Sequence, residues 1–117
     1  MAVMYVATPV DADGQSAHSW GRAHWIAVAE VTDGAIASWQ VHEVSWDVLH
    51  DDTTHGSHHA RVVTFLKDQG IQAIVVDHVG EGMQRMLATM NIPLLPISPG
   101  DAQASVLAAV RPAAASQ

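Results

Sequence analysis

The sequence predicts an α/β protein built on a mixed five-stranded sheet of order 3-2-1-4-5, with strand 2 antiparallel and three helices. Three observations point there. Two apolar runs meet at Thr32-Asp33-Gly34, a tight-turn signal, because Asp-Gly readily supplies positive φ angles. A continuous β-branched run from Ile71 to Val76 reads as a buried central parallel strand. Helical spacing on both sides of that run sets two right-handed parallel crossovers behind an antiparallel meander.

The first strand is the apolar run Val3 to Thr8, ended by Pro9 and the polar Asp11-Ala12-Asp13-Gly14. The hairpin strands run from Ala23 to Val31 and from Ala35 to Val44. In the second of these Ala35, Ala37, Trp39 and Val41 alternate with Ile36, Ser38, Gln40 and His42, as a sheet with one wetter face requires. A polar loop follows. The first helix spans His55 to Gln69, with Val62, Val63, Phe65 and Leu66 at helical spacing and Gly70 as its stop. The strand Ile71 to Val76 leads through Asp77-His78-Val79-Gly80 into a second helix from Glu81 to Met90, closed by Asn91-Ile92-Pro93. Leu94 to Ile97 forms the last strand. Ser98-Pro99-Gly100-Asp101 then opens a helix carrying Ala102, Val106, Leu107 and Val110. One domain over residues 1–111 is expected, with 112–117 as a flexible tail.

Composition narrows the function classes. A formal charge of −7 with only five Lys plus Arg leaves no basic stripe for phosphates, so nucleic acid and anionic membrane surfaces are poor partners. There is no cysteine, which excludes disulfides and thiolate chemistry and suits a reducing cytoplasm. The first residues carry no basic region, and no apolar run reaches the ~20 residues of a membrane helix. A cytoplasmic protein without membrane contact is expected.

Six of the eight histidines crowd into His18-Ser19-Trp20-Gly21-Arg22-Ala23-His24 and the stretch from His50 to His59. Without thiolates, soft metal chemistry must run through imidazole, so function is sought in these segments. The predicted topology brings all eight histidines to the carboxyl edge of the sheet, where open α/β sheets place ligands. His55, His58 and His59 are spaced i, i+3, i+4 and share the first turn of a helix, whose N-terminus favours the neutral, metal-binding imidazole. Asp51, Asp52 or Asp77 can orient a ligand from behind. The bland alternative is a set of solvated polar residues at a helix start.

Of the four tryptophans, Trp25 and Trp39 read as packing residues, and Trp20, beside Gly21, as a pocket liner. Asp77 to Gly82 places a flexible backbone at a helix N-terminus, where free N–H groups receive anions. Asp11, Asp13, Asp77 and Asp101 at strand ends also permit a carboxylate-held Mg²⁺ site of nuclease type, which the missing basic surface opposes. No nucleophile elbow or phosphate loop is present.

Taken in order, Ala7-Thr8-Pro9-Val10-Asp11 with Gly14, Trp20-Gly21-Arg22-Ala23, His55-Gly56, and Val75-Val76-Asp77-His78-Val79-Gly80 with Met83 to Ile92 resemble a family. It is the dinitrogenase iron-molybdenum cofactor biosynthesis family, small nitrogenase accessory factor-like domains, and the resemblance spans Tyr5 to Val110. It implies a ribonuclease H-like three-layer fold and binding or carriage of an iron-sulfur or iron-molybdenum-type cluster rather than turnover. Family members show His-Phe-Gly-Arg-Ala in the first loop. Here Trp20 takes the aromatic position and Ser19 the histidine position, with His18 one residue earlier. With no cysteine, a cluster is held by histidines, carboxylates and backbone.

The expectation is therefore a non-enzymatic binding or carrier domain for a metallocluster or a divalent metal, with a cluster donor or acceptor protein as partner. His55, His58 and His59 are the main ligand candidates. His18, His78, Trp20 and Gly80 are further contacts to the bound group, with Arg22 as an anion contact. The alternative is a protein-interaction or regulatory domain that keeps the fold without a cluster.

Overall fold

A computed structural model describes residues 3–49 and 55–115, and the side chains at 49, 55–57 and 111–115 lie outside that description. Five strands, β1 (Val3–Val10), β2 (Trp25–Thr32), β3 (Ala35–Glu43), β4 (Ala73–Val76) and β5 (Leu94–Pro96), form one mixed sheet. Its order is β3-β2-β1-β4-β5. β2 runs antiparallel to both neighbours, whereas β1, β4 and β5 are mutually parallel. The strand order and the single reversed strand are those expected from the sequence. Helices α2 (His55–Gln69) and α3 (Glu81–Thr89) lie toward one face and α4 (Ala102–Ala115) toward the other, giving three layers. No helix among the described residues is long and apolar enough to cross a membrane.

The β2–β3 turn has φ of 52° at Asp33 and 82° at Gly34, the pair of left-handed residues that an Asp-Gly hairpin supplies. Strict alternation along β3 fails. Val31 pairs with Ile36 but Glu30 pairs with Ser38, so Ala37 is an extra residue and β3 is bulged there. Ile36 and Trp39 consequently pack on the same cluster, although the uninterrupted period puts them on opposite faces.

β4 starts two residues later than the apolar run suggests, because the N–H of Ile71 is used elsewhere. It donates to Leu66 O at 3.0 Å while Gly70, at φ 66°, turns the chain, closing α2 with a six-to-one bond. α3 ends the same way. Asn91 takes φ 60° and Ile92 N donates to Leu87 O at 3.0 Å. Two further differences concern helices. A fourth, α1 (Trp46–Leu49), occupies part of the expected polar loop, following Ser45 at φ 53°. α4 runs from Ala102 to Ala115, Pro112 included.

The core has two halves divided by the sheet. Ala7, Ile26, Val28, Ile74 and Val76 face α2 and α3, where Val62, Leu66, Met83 and Leu87 close over them together with Trp20 and Trp46. Val6, Ala29, Val31, Ala73 and Val75 face Val106, Ala109 and Val110 of α4. Burying each Val, Leu or Ile side chain contributes roughly 1.5–3 kcal/mol. Thr8, fully buried in β1, satisfies its hydroxyl by donating to Val75 O at 2.9 Å across to β4. β1 and β4 are thereby locked side by side, and the loops leaving their carboxyl ends begin from a rigid base.

Candidate functional site

The loops after β1 and β4 meet immediately above that base. Ser19 bridges His78 in parallel fashion, so the Gly21-Arg22 turn stands next to the first turn of α3. Between them and the start of α2 lies a recess of about 300 Å³. Arg22, His58, His59, His78 and residues Gly80 to Met83 line it, with Ser19 and Gly21. Five of the residues singled out from the sequence, Arg22, His58, His59, His78 and Gly80, are thus brought together.

His58 and His59 are adjacent on α2, about 100° apart, and divide the work. His58 is 3% exposed and stands edge-on to Trp46, ring centroids 6.0 Å apart. Arg61 Nη1 lies 3.3 Å from His58 Nδ1. Arginine only donates, so Nδ1 contributes its lone pair and the imidazole proton belongs on Nε2. That nitrogen is buried, 3.9 Å from where a Cβ on Gly21, at the recess wall, would stand. His59 crosses to α3, and a Cβ on Gly82 would come within 3.2 Å of its Cε1. The glycine makes room for the ring.

α3 adds the positive end of a helix. Gly80 is its N-cap with no side-chain hydrogen bond, so no capping oxygen competes for the first N–H groups. The Glu81 carboxylate, the one anion at the recess wall among the described residues, accepts from Arg85 Nη2 at 2.8 Å. Imidazole, guanidinium and backbone N–H make a donor-rich hollow in an otherwise acidic protein.

Other sequence candidates fall elsewhere. Trp20 does not line the recess but is fully buried beneath it, edge-on to Trp46 with centroids 5.3 Å apart. A large indole in a short loop finds more apolar contact in the core than at a polar opening. Its Nε1 is buried with no hydrogen-bond partner among the described residues. His18 is outside the lining, its side chain 90% exposed, with Nδ1 3.2 Å from Asp77 Oδ2. His50, Asp51 and Asp52 lie outside the described residues, as does the side chain of His55, whose backbone opens α2. Among the described residues no three His, Asp or Glu side chains converge on a point that would hold a metal ion.

The carboxylates of the nuclease reading are likewise dispersed into local roles. Asp11 Oδ1 accepts from Asp13 N and Gln15 N, Asp101 Oδ2 caps α4 by accepting from Ala104 N, and Asp77 faces His18.

One constellation had no assigned role in the sequence. His24 Nδ1 lies 2.9 and 3.1 Å from the two Asp47 carboxylate oxygens, and its Nε2 lies 2.7 Å from Glu43 Oε2. The Asp47 and Glu43 bonds raise the His24 pKa above its ordinary 6.5 against a smaller opposing effect of burial. His24 in turn lowers that of Asp47 from 3.8. Hairpin register alone places Glu43 near His24, since Trp25 pairs with Glu43. Asp47 has no such signal, because it depends on the unforeseen α1.

The model of a family described as dinitrogenase iron-molybdenum cofactor matches residues 2–112. The chain belongs to that family. No curated protein matches it significantly. Among solved structures, that of PH0822 superposes with a TM-score of 0.70 at 18% identity, covering 94% of this chain and 92% of the other. A candidate dinitrogenase of Methanocaldococcus jannaschii gives 0.62 at 16% identity over 86% and 82% of the two chains. A candidate NifB protein of Thermotoga gives 0.65 at 18% over 88% and 84%. At such identities these likenesses speak for the fold.

Proposed function

We propose that this protein is a non-enzymatic, cytoplasmic binding or carrier domain that receives an iron-sulfur-type metallocluster in the recess between α2 and α3 and passes it to a partner protein. The observation that carries this reading is the gathering of Arg22, His58, His59 and His78 around the uncapped start of α3. Family membership supports the cargo class. The set suits an anionic, preassembled cluster better than a bare divalent metal, because it joins a guanidinium and imidazoles to the positive end of a helix. His58, buried behind the recess with Arg61 at its Nδ1, backs the site; direct ligation falls to His59, His78 and His55. His18, on the Asp77 side of the rim, and Trp20, behind the wall, act at one remove.

Anaerobic reconstitution tests the assignment. Wild-type protein offered an iron-sulfur cluster is expected to develop the charge-transfer absorbance of a bound cluster. A variant with His58 and His59 both replaced by Ala, checked by circular dichroism for folding, should lose roughly tenfold or more in affinity. Arg22→Ala should also weaken uptake, by the loss of one charge-assisted bond of about 1.5–3 kcal/mol at most. Equal uptake by wild type and the double variant removes the recess as the site, and Zn²⁺ bound in preference to the cluster reverses the choice of cargo.

A further inference from the structure

A neutral imidazole has one N–H, so it satisfies one carboxylate and turns a lone pair toward any second one. His24 has carboxylate oxygens at hydrogen-bond distance from both nitrogens, Asp47 at 2.9 Å and Glu43 at 2.7 Å. With both carboxylates ionised, that geometry favours the imidazolium.

We propose that the His24 clamp is a proton-operated latch beneath the recess: with the proton on, it holds α1, and through it Trp46, under His58; with the proton lost, one carboxylate is repelled and α1 loosens. The latch regulates the site proposed above and takes its functional meaning from that reading.

The connection is short and continuous. The described part of α1, Trp46–Leu49, is a single turn, which does not persist without support. Among the described residues its moorings are the buried Trp46 indole, Trp46 N to Ala23 O at 2.9 Å, Val44 N and Ser45 N to His24 O at 2.9 and 3.0 Å, and the clamp itself. Ser45, at φ 53°, holds a left-handed conformation unfavourable to a side chain, so the turn persists only while its surroundings enforce it. Trp46 then passes any movement on, packed against both Trp20 and His58. Among the described residues the charged groups facing His24 are Asp47 from α1 and Glu43 from β3. The Trp25 ring, 4.2 Å from the imidazole, brings no charge.

The test uses the full chain without cargo. Nitrogen-15 NMR of the His24 ring, recorded from about pH 5 to pH 9 around the ordinary imidazole range, is followed together with the Trp46 indole and His58 ring signals. Both His24 nitrogens should carry protons at the acid end, with a midpoint above 6.5, and the Trp46 and His58 signals should share that midpoint. Asp47→Asn and Glu43→Gln should each lower it, and His24→Gln should abolish the inflection at Trp46. If His24→Gln does not fold, Glu43→Gln, at an exposed strand end, carries the test by the direction of its midpoint. A singly protonated His24 at pH 6.5, or Trp46 and His58 signals that stay flat through the His24 titration, overturns the latch. Failure of wild-type protein to take up cluster at every pH would instead sink the recess reading, and the cargo-free titration separates the two.

Discussion

At Gly82 a missing carbon sets how closely His59 approaches α3. Gly82→Ala introduces a Cβ 3.2 Å from His59 Cε1 while adding helix propensity worth up to about 1 kcal/mol. The expected outcome is a protein of unchanged or slightly higher thermal midpoint whose cluster affinity falls several-fold as the ring is displaced. Calorimetry and a cluster titration read the two effects separately. The clustering of histidines was legible at this scale, because imidazole spacing on α2 is a property of the sequence. Their division was not. Which of two neighbouring rings turns inward is decided by partners such as Trp46 and Arg61, and the former belongs to an element invisible to periodicity. Trp20 shows the same limit: its loop position suggested a pocket wall, yet the available apolar volume lay beneath.

At the scale of elements, the β3–α1 connection should make stability depend on pH in a definite way. His24 has a raised folded pKa, so its contribution is complete below 6.5 and is lost as pH rises through the folded value. Asp47 has a lowered one, so its contribution is complete above 3.8 and is lost as pH falls through the folded value. Together they support the fold most fully between 3.8 and 6.5. Urea midpoints measured across pH should decline on the alkaline side of that window, and His24→Gln should flatten the decline. α2 was readable from sequence because 15 residues carry several repeats of one period, and β4 because Ile74, Val75 and Val76 are consecutive β-branched residues. α1, with four residues, carries scarcely one turn, and the closing bond of Ile71 on α2 is a three-dimensional preference that an apolar run cannot announce.

Across the whole molecule, strand order followed from two local facts, the Asp33-Gly34 hairpin and the handedness of the crossovers. The recess follows from that order, since the β1 and β4 loops can meet only if those strands are neighbours. A chain of net charge −7 with few cations places Arg22 at this hollow and keeps the Glu81 carboxylate engaged with Arg85. Anionic cargo therefore gains little from the distant field and nearly everything from contacts inside the recess. The extra residue in β3 has a consequence of a different kind. β3 is an outermost strand, nine residues long, with Glu43 its only charged side chain. A regular strand of that length and composition is a template for another copy's backbone, and a bulge bends it out of register with any straight partner. Deleting Ala37 should restore one-to-one pairing with β2, straighten the rim, and increase concentration-dependent association in light scattering relative to the parent chain. A single small alanine would then be what preserves colloidal solubility along this border of the sheet.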